Sequence, residues 1–142
     1  MNRLIILKGA GNVGKTSTLD TLIKKLLLKD ARLIHPKKSS DITSFVICQF
    51  AGHKIGVITF GDPTTEPYVE GCLQQCKEHQ CDIIYAASRT RGKVYDILYH
   101  FAKINNFATI ETSTLYAWNY AETGENPDIL NEICSNMLFR LI

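Results

Sequence analysis

The sequence predicts a three-layer α/β/α domain on a mostly parallel five-stranded sheet with one antiparallel edge strand, and three observations predict it. Short apolar runs of strand length alternate with segments whose apolar residues recur at helical spacing. Two of the runs stand side by side across a short glycine-containing loop, as an antiparallel hairpin requires. The first run passes into the first helical segment through the glycine-rich octet Gly9-Ala10-Gly11-Asn12-Val13-Gly14-Lys15-Thr16.

Each element has its own signal. Leu4-Ile5-Ile6-Leu7 has the length of a buried strand, and Leu19, Leu22, Ile23, Leu26 and Leu27 mark the helix that follows the octet. Residues 30–41 read as a polar loop, because His35-Pro36-Lys37-Lys38-Ser39-Ser40 contains a proline that a helix interior excludes. Residues 43–50 and 55–60 are rich in β-branched and aromatic side chains, and Ala51-Gly52-His53 joins them as a hairpin. Helical spacing returns over 68–78, with Thr64 or Thr65 as cap and Pro67 near the first turn.

Residues 82–87 form the next buried strand, and Val94, Ile97, Leu98, Phe101 and Ile104 mark an amphipathic helix. Residues 108–112 make a shorter strand. Ile129, Leu130, Ile133, Cys134, Met137 and Leu138 form the apolar face of a last helix. The order β-α-β-β-α-β-α-β-α implies a mostly parallel sheet with helices on both faces. The first hairpin strand is expected to run antiparallel at an edge. No repeat, low-complexity tract or linker divides the chain, so residues 1–142 read as a single domain.

Composition narrows the class. Apolar residues are 45% and charged residues 21%, the balance of an ordinary globular domain rather than a disordered or fibrous chain. A formal charge of +2 argues against a dedicated nucleic-acid surface. No apolar stretch reaches bilayer length, and the start, Met-Asn-Arg and four apolar residues before Lys8, is too short for a secretory signal core. The expected location is cytoplasmic.

Five cysteines, an odd number in a chain rich in regular elements, do not read as a disulfide framework. Cys72, Cys76, His79 and Cys81 cluster as metal ligands do, but the second distant pair of a zinc site is missing. Buried thiols acting as small hydrophobes are the favoured reading.

The octet matches G-x-x-x-x-G-K-[ST] in full, with a strand before it and a helix after it. Amide hydrogens and the positive helix end converge there on one anion site, and glycines let the backbone close around it. Through this Walker A motif the chain resembles the P-loop NTPase superfamily. The resemblance implies a nucleotide held by Gly9, Gly11, Asn12, Val13, Gly14, Lys15, Thr16 and Ser17. Lys15 would sit on the β- and γ-phosphates and Thr16 on Mg²⁺. As topology the element order also resembles Ras-like GTPases and the nucleotide-binding protein of molybdopterin-guanine-dinucleotide synthesis, which place an antiparallel edge strand after the P-loop helix.

Other residues follow strand ends, where open α/β sheets hold their ligands. Asp62, after Gly61, looks like the Walker B carboxylate that holds the metal, although Asp62-Pro63 also suits an ordinary turn. Glu66 is a weaker candidate for positioning water or an acceptor hydroxyl. Ser88-Arg89-Thr90-Arg91-Gly92-Lys93 puts three cations in one loop, and Arg89 and Arg91 suit a transferred phosphoryl group as well as they suit solvent. Tyr116 or Trp118 offers a face for a base, against the alternative that Trp118 packs under the last helix.

The guanine-selecting Asn-Lys-x-Asp of Ras-like GTPases is absent, so adenine is expected and GTP is not excluded. The Leu-Ser-Gly-Gly signature of transport ATPases and the lysine of partitioning ATPases, for which Ala10 stands here, are also missing. The expected function is Mg-ATP binding by an ATPase or small phosphotransferase acting at the γ-phosphate, with Lys15, Asp62, Arg89 and Arg91 as its catalytic groups. The alternative is a nucleotide-dependent switch or adaptor that hydrolyses slowly and controls a protein partner.

Overall fold

The computed structural model describes residues 2–10, 14–61, 63–114 and 127–142. In chain order these form β1 (Arg3–Lys8), α1 (Lys15–Leu28), β2 (Arg32–His35), β3 (Phe45–Phe50), β4 (His53–Ile58), α2 (Glu66–Glu78), β5 (Ile83–Ser88), α3 (Lys93–Asn105), β6 (Ala108–Thr112) and α4 (Pro127–Phe139). The strands make one six-stranded sheet in the order β2-β3-β4-β5-β1-β6. β1 is central to the site because it pairs parallel with β5 on one side and β6 on the other.

Alternation along the strands decides the layers. Leu4, Ile6, Ile47, Ile58, Ile84 and Ala86 face the layer of α2 and α3, which contribute Val69, Leu73, Val94 and Leu98. Ile5, Leu7, Val46, Val57, Tyr85 and Ala87 face the layer of α1 and α4, where Leu19, Leu22, Ile23, Leu26 and Leu138 meet them. Burial on both faces explains why β1 and β5 read as unbroken apolar runs rather than alternating ones. At the other end of the sheet Asp82 clamps β4 to β5. Its carboxylate accepts the Lys54 amide at 2.8 Å and meets His53 Nδ1 at 2.5 Å.

The sheet departs from expectation at one edge. Arg32–His35, read as part of a polar loop, forms β2 and pairs antiparallel with β3, Arg32 opposite Gln49 and Leu33 opposite Cys48. The sheet therefore has six strands rather than five, and the antiparallel strand β3 is second from the edge rather than at it. The physical reason lies in Pro36 and in β3. A residue before proline favours extended backbone, so the proline that excludes a helix suits the end of a strand. A bare β3 would leave a row of unpaired amides and carbonyls, which even a four-residue strand covers.

The last helix also differs. Cys134 and Leu138 are buried, whereas Ile129, Ile133 and Met137 are 58%, 50% and 42% exposed. The six apolar residues span more of the helix circumference than one packing face can cover, and α4 meets the rest of the described chain mainly through α1. Across that seam Lys25 pairs with Glu132 at 3.0 Å, and Thr18 Oγ1 donates to Asn131 Oδ1 at 3.3 Å. Among the described residues no helix is long and apolar enough to cross a membrane.

One buried hydroxyl ties α4 to the centre of the sheet. Tyr85 is fully buried in β5, and its hydroxyl donates to the Leu138 carbonyl at 2.6 Å. Tyr85→Phe removes this bond, leaves the Leu138 carbonyl to the Leu141 amide at 3.0 Å, and is expected to cost about 1 kcal/mol. Urea unfolding should show a lower midpoint at unchanged slope; an unchanged midpoint would mean that α4 does not depend on this bond.

Candidate functional site

Two neighbouring parallel strands hand the chain to opposite faces of the sheet. β1 leads into α1 on one face, and the chain leaving β5 enters α3 on the other. Such a divergence opens a crevice at the carboxyl ends of the strands, where open α/β sheets bind ligands. The octet begins in that crevice. Lys8 is in register with Ser88, and the Gly9 amide donates to the Ser88 carbonyl at 3.1 Å, extending the β1–β5 ladder by one residue.

Gly14 takes φ +82°, a left-handed conformation that disfavours other residues, and α1 starts at the next position. Gly14 supplies no side-chain cap, and the first turn contains no acidic residue. Instead the first helical residue is Lys15, a cation at the positive end of the helix dipole. Its side chain is 7% exposed and folds back so that Nζ donates to the carbonyls of Gly9 and Ala10, both at 2.6 Å. These charge-assisted bonds offset the desolvation of the ammonium and close the turn around it. The result is a buried positive centre at a helix N-terminus, the arrangement that attracts phosphate oxygens. Gly11, Asn12 and Val13 lie outside the described residues.

Thr16 and Ser17 are exposed in the first turn of α1. Thr16 Oγ1 donates to the Thr59 carbonyl at 2.9 Å, which joins α1 to the segment after β4 although β5 lies between β4 and β1. Thr59 is the residue that sequence reasoning missed. It is 1% exposed, and its amide and Oγ1 both donate to the Ser44 carbonyl at 2.9 and 3.1 Å. Its only sequence signal is a polar residue at the end of an apolar strand. Strand geometry stops at Ile58, two residues before the expected end, because Thr59 turns its carbonyl to Thr16.

Gly61 has an equally specific reason. It is buried, and a Cβ there would run into the carbonyl of Ala87, so only glycine lets this segment lie against the end of β5. Asp62, the expected metal ligand, lies outside the described residues, as do Tyr116 and Trp118.

Arg89 directly follows Ser88 and is therefore carried to the level of Gly9; it is half-buried. Arg91 is exposed. Glu66, at the start of α2, pairs with Lys93, at the start of α3, at 3.7 Å. The structure thus brings Gly9, Lys15, Thr16, Thr59, Ser88 and the Arg89 backbone to one edge. Cys72, Cys76 and Cys81 are buried and His79 is half-buried, and among the described residues no three His, Cys, Asp or Glu side chains converge as metal ligands do.

The chain matches no protein-family model, and no curated protein or solved structure matches it. The geometry of the crevice therefore carries the functional argument by itself. Gly61→Ala forces a methyl group into the Ala87 backbone and is expected to destabilise the fold by about 3 kcal/mol. Stability within experimental error of the original chain in thermal or urea unfolding would contradict this close approach.

Proposed function

We propose that the chain binds a nucleoside triphosphate with Mg²⁺, ATP in the first place, and acts at the γ-phosphate as an ATPase or small phosphotransferase. The observation that carries this reading is the Lys15 ammonium, buried on two carbonyls at an uncapped helix N-terminus in the β1–β5 crevice. A cation at the N-terminal end of a helix is complementary to the phosphate chain of a nucleotide. Lys15 would bind the β- and γ-phosphates, with the backbone of the octet around them.

The residues present fit Mg²⁺. Thr16 Oγ1 spends its proton on the Thr59 carbonyl, which leaves its lone pairs for a hard cation, and Asp62 supplies a carboxylate of the type such a cation prefers. When bound, the ion neutralises charge on the phosphate oxygens. The other steps belong to the chain: Lys15 orients the phosphates, and Arg89 and Arg91 stabilise charge on the transferred group. Catalysis in this reading comes from positioning and electrostatics rather than from a covalent intermediate.

Isothermal titration of ATP and of GTP, each with Mg²⁺, tests the reading. The chain is expected to bind ATP, and Lys15→Ala to lose about 3 kcal/mol, roughly a hundredfold in Kd. Tighter GTP binding would turn the reading toward a nucleotide-dependent switch. Binding of neither nucleotide would sink it. The double substitution Arg89→Ala, Arg91→Ala is expected to retain binding and lose at least about a hundredfold in phosphate release; unchanged turnover would remove the arginines from the mechanism.

A further inference from the structure

At the sheet edge opposite the octet, α2 ends in a tight turn. The Cys81 amide donates to the Cys76 carbonyl at 2.9 Å and the Gln80 amide to the Lys77 carbonyl at 3.0 Å, with Gln80 at φ +60°. This is a Schellman motif, which brings its first and last residues into side-chain contact. Most such contacts join two hydrocarbons. Here both residues are cysteine.

The two sulfurs share one niche over β4. A Cβ placed on Gly56 would stand 2.5 Å from Cys76 Sγ and 3.8 Å from Cys81 Sγ, so the absence of a side chain at Gly56 makes room for the pair. They differ in access. Both are buried, Cys76 at 0% and Cys81 at 4% exposure, but Cys81 lines a surface cleft of about 370 Å³ among Lys77, Gln80, Phe101 and Phe107.

We propose that Cys81 and Cys76 form a dithiol that reduces hydroperoxides, Cys81 as the attacking sulfur and Cys76 as the resolving one. Access and the contact across the turn assign the two roles. The Cys81 thiolate attacks one oxygen of hydrogen peroxide and the O–O bond breaks; with the proton it released, the departing hydroxide makes the first water. Cys81 is then a sulfenic acid. The Cys76 sulfur attacks that sulfur, the S–O bond breaks, and the hydroxyl leaves with the Cys76 proton as the second water. Two thiols are oxidised to one disulfide, and one peroxide is reduced to two waters.

The electrostatics favour the same partner. The hydrogen bond from Cys76 holds the Cys81 thiol below its ordinary value and Lys54 adds to this, against burial and the Asp82 carboxylate. Cys76 is pushed up. Burial drives Cys48 up to about 12 and Cys72 up to about 11, which keeps both protonated and unreactive near neutral pH.

The test uses the full, reduced chain and one equivalent of hydrogen peroxide, followed by alkylation, tryptic digestion without reductant and mass spectrometry. Cleavage after Lys77 separates Cys76 from Cys81 but leaves Cys72 beside Cys76, so the expected product is peptides 55–77 and 78–89 joined by one disulfide, with the loss of two hydrogens, which fragmentation assigns to Cys76 and Cys81. In Cys76→Ser the link is lost, and a cyclic 1,3-diketone should trap sulfenic acid on Cys81. All five thiols alkylated after peroxide, a link from Cys81 to Cys48 or Cys72, or a sulfenic acid on another cysteine would each overturn the proposal.

Discussion

The ammonium of Lys15 is the point around which the carboxyl edge of the sheet is organised. The chain leaves β1, buried on both faces, and must enter α1 within six residues, and the bonds from Nζ to the Gly9 and Ala10 carbonyls close that turn. A buried cation tolerates few alternatives, because every arrangement that withdraws those carbonyls leaves a desolvated charge. The neighbouring segments then dock on the turn. Ser88 fixes Gly9, Thr59 fixes Thr16, and α4 brings Asn131 against Gly14 and Thr18.

Apolar burial supplies the stability of the domain, while a short polar network supplies the geometry of its edge. The network runs from Thr16 through Thr59 to Ser44, and from the Ser44 hydroxyl to the Tyr68 hydroxyl in α2 at 2.5 Å. It connects α1 on one face of the sheet with α2 on the other through the ends of β3 and β4. Because β5 lies between β4 and β1, this connection cannot be made by strand pairing. Two glycines permit it by having no side chain, Gly14 through its backbone conformation and Gly61 through close approach to Ala87.

The two ends of α2 serve different chemistry. Its start carries Glu66 to Lys93 near the octet's edge of the sheet, and its end carries Cys76 to Cys81 near the other. The first end sits among exposed cations and polar groups. The second is packed in the core against Gly56. Thiol chemistry at the far end therefore requires no group of the nucleotide reading.

Local signals were enough for much of this. The hairpin, the strands at β1, β5 and β6, and three of the four described helices were legible because apolar periodicity and glycine placement are properties of adjacent residues. The last helix was legible as a helix but not in its burial, since Ile129, Ile133 and Met137 look like core until the extent of its neighbours is known. β2 was hidden because a strand of four residues is defined by the open edge of β3 rather than by its own composition. Thr59 and Gly61 were invisible as site residues for the same reason: their roles are contacts with Thr16 and Ala87, distant in sequence. By itself the sequence determined a layered α/β chain with a glycine-containing connection between its first strand and first helix, because those depend on short-range stereochemistry. Only the tertiary structure decided which strands flank that turn, since strand order is a choice among long-range pairings that no local window contains.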